Sequence, residues 1–143
     1  RPDFILCNAP DDRHIDHPKG ANLVVDSCFL SGLQKIETIE DGVVQDPWRP
    51  INIYHYIQWK SLKPDFVVDI SNHFQTKIKA VKAFKSQFYD GNETVHSTPI
   101  STKNFLDSIE YRARDLGRLT NVDYGEGFIA SRLPLIENIS DLK

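Results

Sequence analysis

Phe4-Ile5-Leu6-Cys7-Asn8-Ala9-Pro10-Asp11-Asp12-Arg13-His14-Ile15-Asp16-His17-Pro18 passes from an apolar run to a cluster of two histidines and three acids, and then to a helix start. Phe4 to Asn8 reads as a short buried strand, because four apolar residues run together between Pro2 and the polar cluster. Pro18 suits the first turn of a helix. Ala21, Val24, Val25, Cys28 and Phe29 then recur at the i, i+3, i+4, i+7, i+8 spacing of a buried face, and Gly32 is expected to end the helix. Strand, polar loop and helix in this order form the unit of an α/β sheet, whose ligands bind outside the carboxyl ends of the strands. The loop from Asp11 to His17 sits at such an end. Neutral imidazole and carboxylate are also the ligands that Zn²⁺ accepts, so position and chemistry agree.

Further along, Gln34 to Pro50 carries Gly42, Pro47 and Pro50 among polar residues and reads as an excursion over the surface. Strands are expected at Ile51 to Gln58 and, after Lys63-Pro64, at Phe66 to Ile70. From Asn72 the pattern Phe74, Ile78, Val81, Phe84 (or Ala80), Phe88 is helical, with lysines 77, 79, 82 and 85 on a solvated face. Tyr89 to Thr98, containing Asp90-Gly91-Asn92, reads as a loop. A third helix is expected from Ser101 or Thr102, burying Phe105, Leu106, Ile109 and Leu116 and stopping at Gly117. The tail holds Tyr124-Gly125-Glu126-Gly127-Phe128 and an apolar stretch to Ile136. Strands alternating with helices predict an α/β sheet that is at least partly parallel.

The chain has 143 residues, 40% of them hydrophobic, enough for one domain and too few for two ordinary ones. A net charge of −3 argues against a general nucleic-acid binder, which needs a basic face. No apolar run approaches the ~20 residues of a membrane span, and no signal peptide is visible, so a cytoplasmic protein is expected. Cys7 and Cys28 fall at apolar positions and are expected to be inert core thiols. The absence of methionine and the opening Arg1-Pro2-Asp3-Phe4 lead to the expectation that this is the later part of a longer protein.

Each residue of the cluster also has a plainer reading. His-x-x-His recurs by chance, and strand-to-helix loops attract Asp for capping. Asp16, just before Pro18, is placed to cap the helix or meet its positive end, or else to hold an imidazole in one tautomer. Arg13 suits an anionic substrate group, but Asp11 and Asp12 beside it favour a structural ion pair.

Asp12-Arg13-His14-Ile15-Asp16-His17 resembles the second signature of the LmbE-like zinc-dependent N-acetylglucosaminyl deacetylases, usually written Asp-Arg-His-Pro-Asp-His, with Ile15 in place of the proline. Lys63-Pro64-Asp65-Phe66-Val67-Val68-Asp69-Ile70-Ser71, Ser86-Gln87-Phe88, Thr98-Pro99 and Tyr124-Gly125-Glu126-Gly127-Phe128 follow in the order and spacing of one branch. That branch is similar to the bacillithiol-pathway deacetylases acting on N-acetylglucosaminyl malate. The resemblance implies a Rossmann-like three-layer sandwich with a mostly parallel sheet, of which residues 1–143 are a single domain, the C-terminal portion. It also implies a homo-oligomer, Zn²⁺ as cofactor, and an upstream His-x-Asp-Asp motif, carrying two zinc ligands and the general base, on a missing N-terminal segment.

Carried over by the resemblance, His17 is the zinc ligand, His14 the general acid or oxyanion stabiliser, and Asp16 its orienting partner. Arg49 matches an arginine that reaches the site mouth, often of a neighbouring subunit; its alternative is a surface ion pair. A family tyrosine falls opposite Phe105, which lacks the hydroxyl. Two other functions compete: a catalytically silent sugar-binding or oligomerisation module, and a metal-dependent hydrolase of another bond, such as a phosphoester, with a second metal about 4 Å from the first.

Overall fold

The computed structural model describes residues 1–89 and 98–142. Most of the expected loop from Tyr89 to Thr98, including Asp90-Gly91-Asn92, lies outside the described residues. The elements run β1 (Phe4–Cys7), α1 (Asp16–Ser31), β2 (Ile39–Glu40), β3 (Val43–Val44), β4 (Asn52–Tyr56), β5 (Phe66–Asp69), α2 (Phe74–Lys82), α3 (Lys103–Thr120), β6 (Gly125–Ala130) and a 3₁₀ turn at Ile139–Asp141. The larger sheet has strand order β1-β4-β6-β5. It is mixed rather than mostly parallel: β1 pairs parallel to β4, and β4 pairs antiparallel to β6. The pattern of short apolar runs finds strands but carries no direction, and β6 follows α3 in the opposite sense to β4.

The chain divides into two compact units, residues 1–66 with 127–143, and residues 67–126. In the first, Cys7, Ala9, Ala21 and Cys28 are buried, and the parallel register sets Cys7 opposite His55. Burial pushes the Cys7 thiol up to about 11 and raises Cys28 as well, so both free thiols are protonated and unreactive at neutral pH. His55 is buried and satisfied at both nitrogens, with Nδ1 2.7 Å from Asn8 O and Nε2 3.0 Å from Ser131 Oγ. Tyr54 meets the Phe66 ring edge-on at 5.1 Å, and Phe66 stacks on Phe128 at 5.6 Å. The 34–50 excursion contains the β2–β3 hairpin. Asp41 and Gly42 both take positive φ, 51° and 78°, as a two-residue turn requires.

In the second unit Ile70, Phe74 and Ala113 form the core, with Ile78 and Tyr124 packed against it. Phe74 lies flat on Tyr124, ring centroids 4.0 Å apart. Of the expected lysine face, Lys77 instead forms a half-buried ion pair with Glu126. The α2 helix ends at Lys82, short of Phe84, which is exposed.

α3 begins at Thr102, whose Oγ1 accepts the Phe105 N–H at 3.1 Å. It runs past Gly117 to Thr120 and closes on Asn121 in the left-handed region. Gly117 is therefore not the stop signal; a Cβ there would come within 2.6 Å of Val122 O and 2.8 Å of Asp123 O. The glycine admits the returning backbone, and Asn121 makes the turn. Gly117→Ala should therefore destabilise by about 1–3 kcal/mol by overpacking, although alanine favours a helix by about 1 kcal/mol. Urea unfolding measures this, and an unchanged or raised midpoint would contradict the assigned close approach.

Candidate metal and acid–base site

The loop after β1 is anchored by Asp12, whose side chain has no exposed surface. Oδ1 accepts the N–H groups of Arg13 at 2.7 Å and Lys60 at 3.1 Å; Oδ2 lies 3.4 Å from the Trp59 N–H and 2.5 Å from His17 Nδ1. One carboxylate thus joins the β1–α1 loop to the segment after β4 and fixes a histidine ring. Burial acts to raise its pKa, but the hydrogen bonds from His17 and the three backbone N–H groups outweigh it and hold the carboxyl below the usual carboxylate range. An ionised carboxylate only accepts, so His17 Nδ1 carries a proton and donates it to Asp12.

His17 lies in the first turn of α1 and is half-buried, with Nε2 facing Gln58 Nε2 at 3.2 Å. His14 is exposed, its ring centroid 5.3 Å from that of His17. Its Nδ1 accepts the Asp16 N–H at 3.3 Å, while the Asp16 carboxylate is 3.7 Å away. Asp16 thus orients His14 chiefly through its backbone, which leaves Nε2–H of the neutral ring free to donate outward. Asp16 does not cap α1. The cap position is Ile15, without a side-chain hydrogen bond, and Asp16 meets the positive end of the helix from its first turn.

The two arginines separate. Arg13 sits beside the cluster with its guanidinium 4.8 Å from the Trp59 ring centroid, while Asp11 pairs with Lys60 at 2.6 Å. Arg49 lies at the far end of α1. Its Nη2 donates to Phe29 O at 2.9 Å, it lies 4.7 Å over the Phe29 ring, and the adjacent Trp48 N–H donates to Ser31 O. There it complements the negative end of the helix. His14, Asp16, His17 and Arg13 are therefore brought together within one chain, and Arg49 is not brought to them. Phe105 stacks on Phe88 at 6.0 Å in the second unit.

His17 fits a metal as a single ligand, because metal-binding imidazoles characteristically donate their other N–H to a carboxylate. Among the described residues no group of three or more His, Cys, Asp or Glu side chains gathers to complete a set. The sequence pattern offers Asp12 only as an ion-pair partner of Arg13 and passes over Gln58; in the structure Asp12 holds His17 and three backbone N–H groups instead. The signal for Asp12 is its spacing, five residues before His17 and in the loop that follows the strand; for Gln58, on another segment, there is none.

No family model matches the chain. Among solved structures it is similar to the conserved protein TT1542 from Thermus thermophilus, with 26% identity and a TM-score of 0.79 over 97% of this chain and 56% of that one. It is also similar to the N,N'-diacetylchitobiose deacetylase of Pyrococcus horikoshii, with 26% identity and a TM-score of 0.65 over 99% of this chain and 51% of that one. The fold agrees with that of the LmbE-like deacetylases. GalB, the 4-carboxy-2-hydroxymuconate hydratase of Pseudomonas putida KT2440, matches at 17% identity and TM-score 0.63 over 96% of this chain and 55% of that one, a likeness of fold alone. The chain spans about half the length of each of these structures. No helix among the described residues is long and apolar enough to cross a membrane.

Asp12→Ala should cost on the order of 2–4 kcal/mol, because it strands buried N–H groups. The pH dependence has a definite sign. A folded-state pKa below the unfolded value contributes stability above about pH 4, and that contribution is lost as pH falls through the folded-state value. Asp12→Asn, which cannot titrate, should therefore show a flatter stability profile below about pH 4 than the wild type. Urea midpoints measured across acid pH check this, and parallel profiles would remove the assigned role.

Proposed function

We propose that the chain is the C-terminal portion of a zinc-dependent hydrolase that removes the N-acetyl group from an N-acetylglucosaminyl conjugate. The observation that carries this reading is the Asp12–His17 pair with the His14 ring beside it, at the carboxyl end of β1, in a chain whose fold matches that of a chitobiose deacetylase. The ordered motifs from Lys63 to Ser71 and from Tyr124 to Phe128 favour N-acetylglucosaminyl malate, and with it bacillithiol biosynthesis in the cytoplasm.

His17 Nε2 would hold the metal, with Asp12 fixing the ring. When bound, zinc supplies the Lewis acidity that makes a water acidic near neutral pH and polarises the acetyl carbonyl. In its doubly protonated form His14 would donate from Nε2 to the carbonyl oxygen as it gains negative charge, then pass that proton to the departing amine and return to the neutral ring. Asp16 keeps the neutral His14 ring aimed with its backbone N–H on Nδ1, and its carboxylate lies 3.7 Å from the same nitrogen, on the side where a proton there would point. Arg13, held against Trp59, stands where an anionic group of the conjugate would approach. Arg49 serves a site only from a neighbouring copy, as a homo-oligomer would arrange.

The remaining ligands and the general base belong to a companion N-terminal segment. Exposed Phe4 and Leu6, on β1 at the end of the strand order, support such a neighbour, since strands in doubly wound sheets are covered on both faces. A catalytically silent module of the same fold is favoured only by the incomplete ligand set among the described residues. An intact upstream His-x-Asp-Asp decides for the enzyme.

In the complete protein His17→Ala should lose zinc. His14→Ala should keep zinc and lose roughly 10²–10⁴-fold in turnover. Metal analysis beside a deacetylation assay separates the two, and full activity in either variant ends the assignment. The isolated chain should bind no zinc tightly; a stoichiometric, tightly held ion would mean that His14, Asp16 and His17 chelate by themselves.

A further inference from the structure

Gln58 lies just beyond β4, and its side chain reaches the β1–α1 loop. Its Oε1 is taken by two donors, the Ala9 N–H at 3.1 Å and the Asn8 Nδ2 amide at 3.3 Å. That fixes which end of the carboxamide faces which way, because the Ala9 backbone N–H can only donate. The amide nitrogen is left facing His17 Nε2 at 3.2 Å. An amide nitrogen cannot accept, so the imidazole nitrogen must. On its other side the ring gives its Nδ1 proton to Asp12, whose Oδ2 is 2.5 Å away. Asp12 fixes the proton on Nδ1 and Gln58 requires Nε2 to be bare, and together the two contacts define one tautomer.

We propose that Gln58 is a latch on His17: its side-chain amide fills the Nε2 lone pair that a metal would take, and keeps the ring in the ligand-ready tautomer until the metal displaces it. The proposal rests on the reading of His17 as a metal ligand. It adds a regulatory element to that site, a neutral donor that competes with the metal for one lone pair. A neutral hydrogen bond suits this task. It prevents the nitrogen from being buried without a partner, yet it is weak enough for a metal to replace, which a carboxylate-bound proton would not be. The geometry also makes Gln58 a positioning residue, since Ala9 and Asn8 belong to the segment that carries the cluster.

The test uses the whole chain and two readouts that need no turnover. Long-range ¹H–¹⁵N spectra of the histidine rings should show the wild-type His17 with its proton on Nδ1 and a hydrogen-bonded, unprotonated Nε2. In Gln58→Leu the Nε2 resonance should move downfield, as an acceptor nitrogen does on losing its donor, while His55 stays in place. Titration of the complete protein with Zn²⁺, followed at His17 Nε2, should then show binding about three- to tenfold tighter in the variant, the value of one neutral hydrogen bond. A proton on Nε2 in the wild type overturns the proposal, as does an Nε2 resonance or a Zn²⁺ affinity unaffected by the substitution. Because the substitution also removes the acceptor of the Ala9 and Asn8 amides, the His55 ring and backbone amides remote from the loop serve as the check on folding, and the wild-type tautomer decides independently of any variant. If the tautomer and the latch are found but the complete protein does not deacetylate, the deacetylase reading fails and the latch stands.

Discussion

The Asp12 carboxylate is the constraint on which the site depends. A carboxylate with no exposed surface is costly unless it is fully hydrogen-bonded, and Asp12 is met by three backbone N–H groups and one imidazole. Because two of those N–H groups belong to Trp59 and Lys60, the loop after β1 and the segment after β4 are fixed together. Parallel pairing of β1 with β4 brings their carboxyl ends to the same edge of the sheet, which is what places Cys7 beside His55 and the two following segments within reach of one side chain. The topology and the buried acid are thus one arrangement: without parallel strands, Asp12 could not reach both segments.

The helix that follows is polarised by what holds its ends. At its start Asp16 and the Asp12-bound His17 occupy the first turn, with no side-chain cap. At its finish the Arg49 guanidinium and the Trp48 N–H satisfy the Phe29 and Ser31 carbonyls, and the Ser31 hydroxyl donates to Trp48 O in return. A negative group at the N-terminus and a cation at the C-terminus both complement the helix dipole. The chemistry collects at one end and the scaffold contact at the other, which is why an arginine from the 34–50 excursion serves structure within its own chain.

How far the sequence can be read follows from the range of each signal. β1 and α1 are legible because apolar runs and 3.6-residue spacing are local, and so is the position of the cluster at a strand end. The β2–β3 hairpin escapes the sequence reading although Asp41-Gly42, between Ile39-Glu40 and Val43-Val44, is a turn signal; the flanking strands are only two residues each. Gly117 misleads because a glycine that ends a helix and a glycine that admits a crossing backbone look alike until the distant segment is placed. Sheet direction is legible only in part: β1 and β4 are parallel, as the alternation of strands and helices predicts, whereas β6 pairs antiparallel with β4 through topology, not through its own residues. In the site, His14 and Asp16 lie two residues apart and announce each other. The partners that fix His17 are five and forty-one residues away, on opposite sides of the ring.

An imidazole held from both sides is ordered before any metal arrives. Asp12 sets the tautomer by accepting from Nδ1, and Gln58 requires the same tautomer by donating to Nε2. A ligand that is already oriented loses little rotamer freedom on binding, so a larger share of the coordination energy appears as affinity. His14 is built on the opposite plan. Its ring is exposed and tethered through a single backbone N–H, and an acid that must donate to a substrate oxygen needs its outer nitrogen unclaimed. The two histidines differ in sequence by three positions and in environment by everything that decides a role: burial, the number of partners, and which nitrogen each partner leaves free.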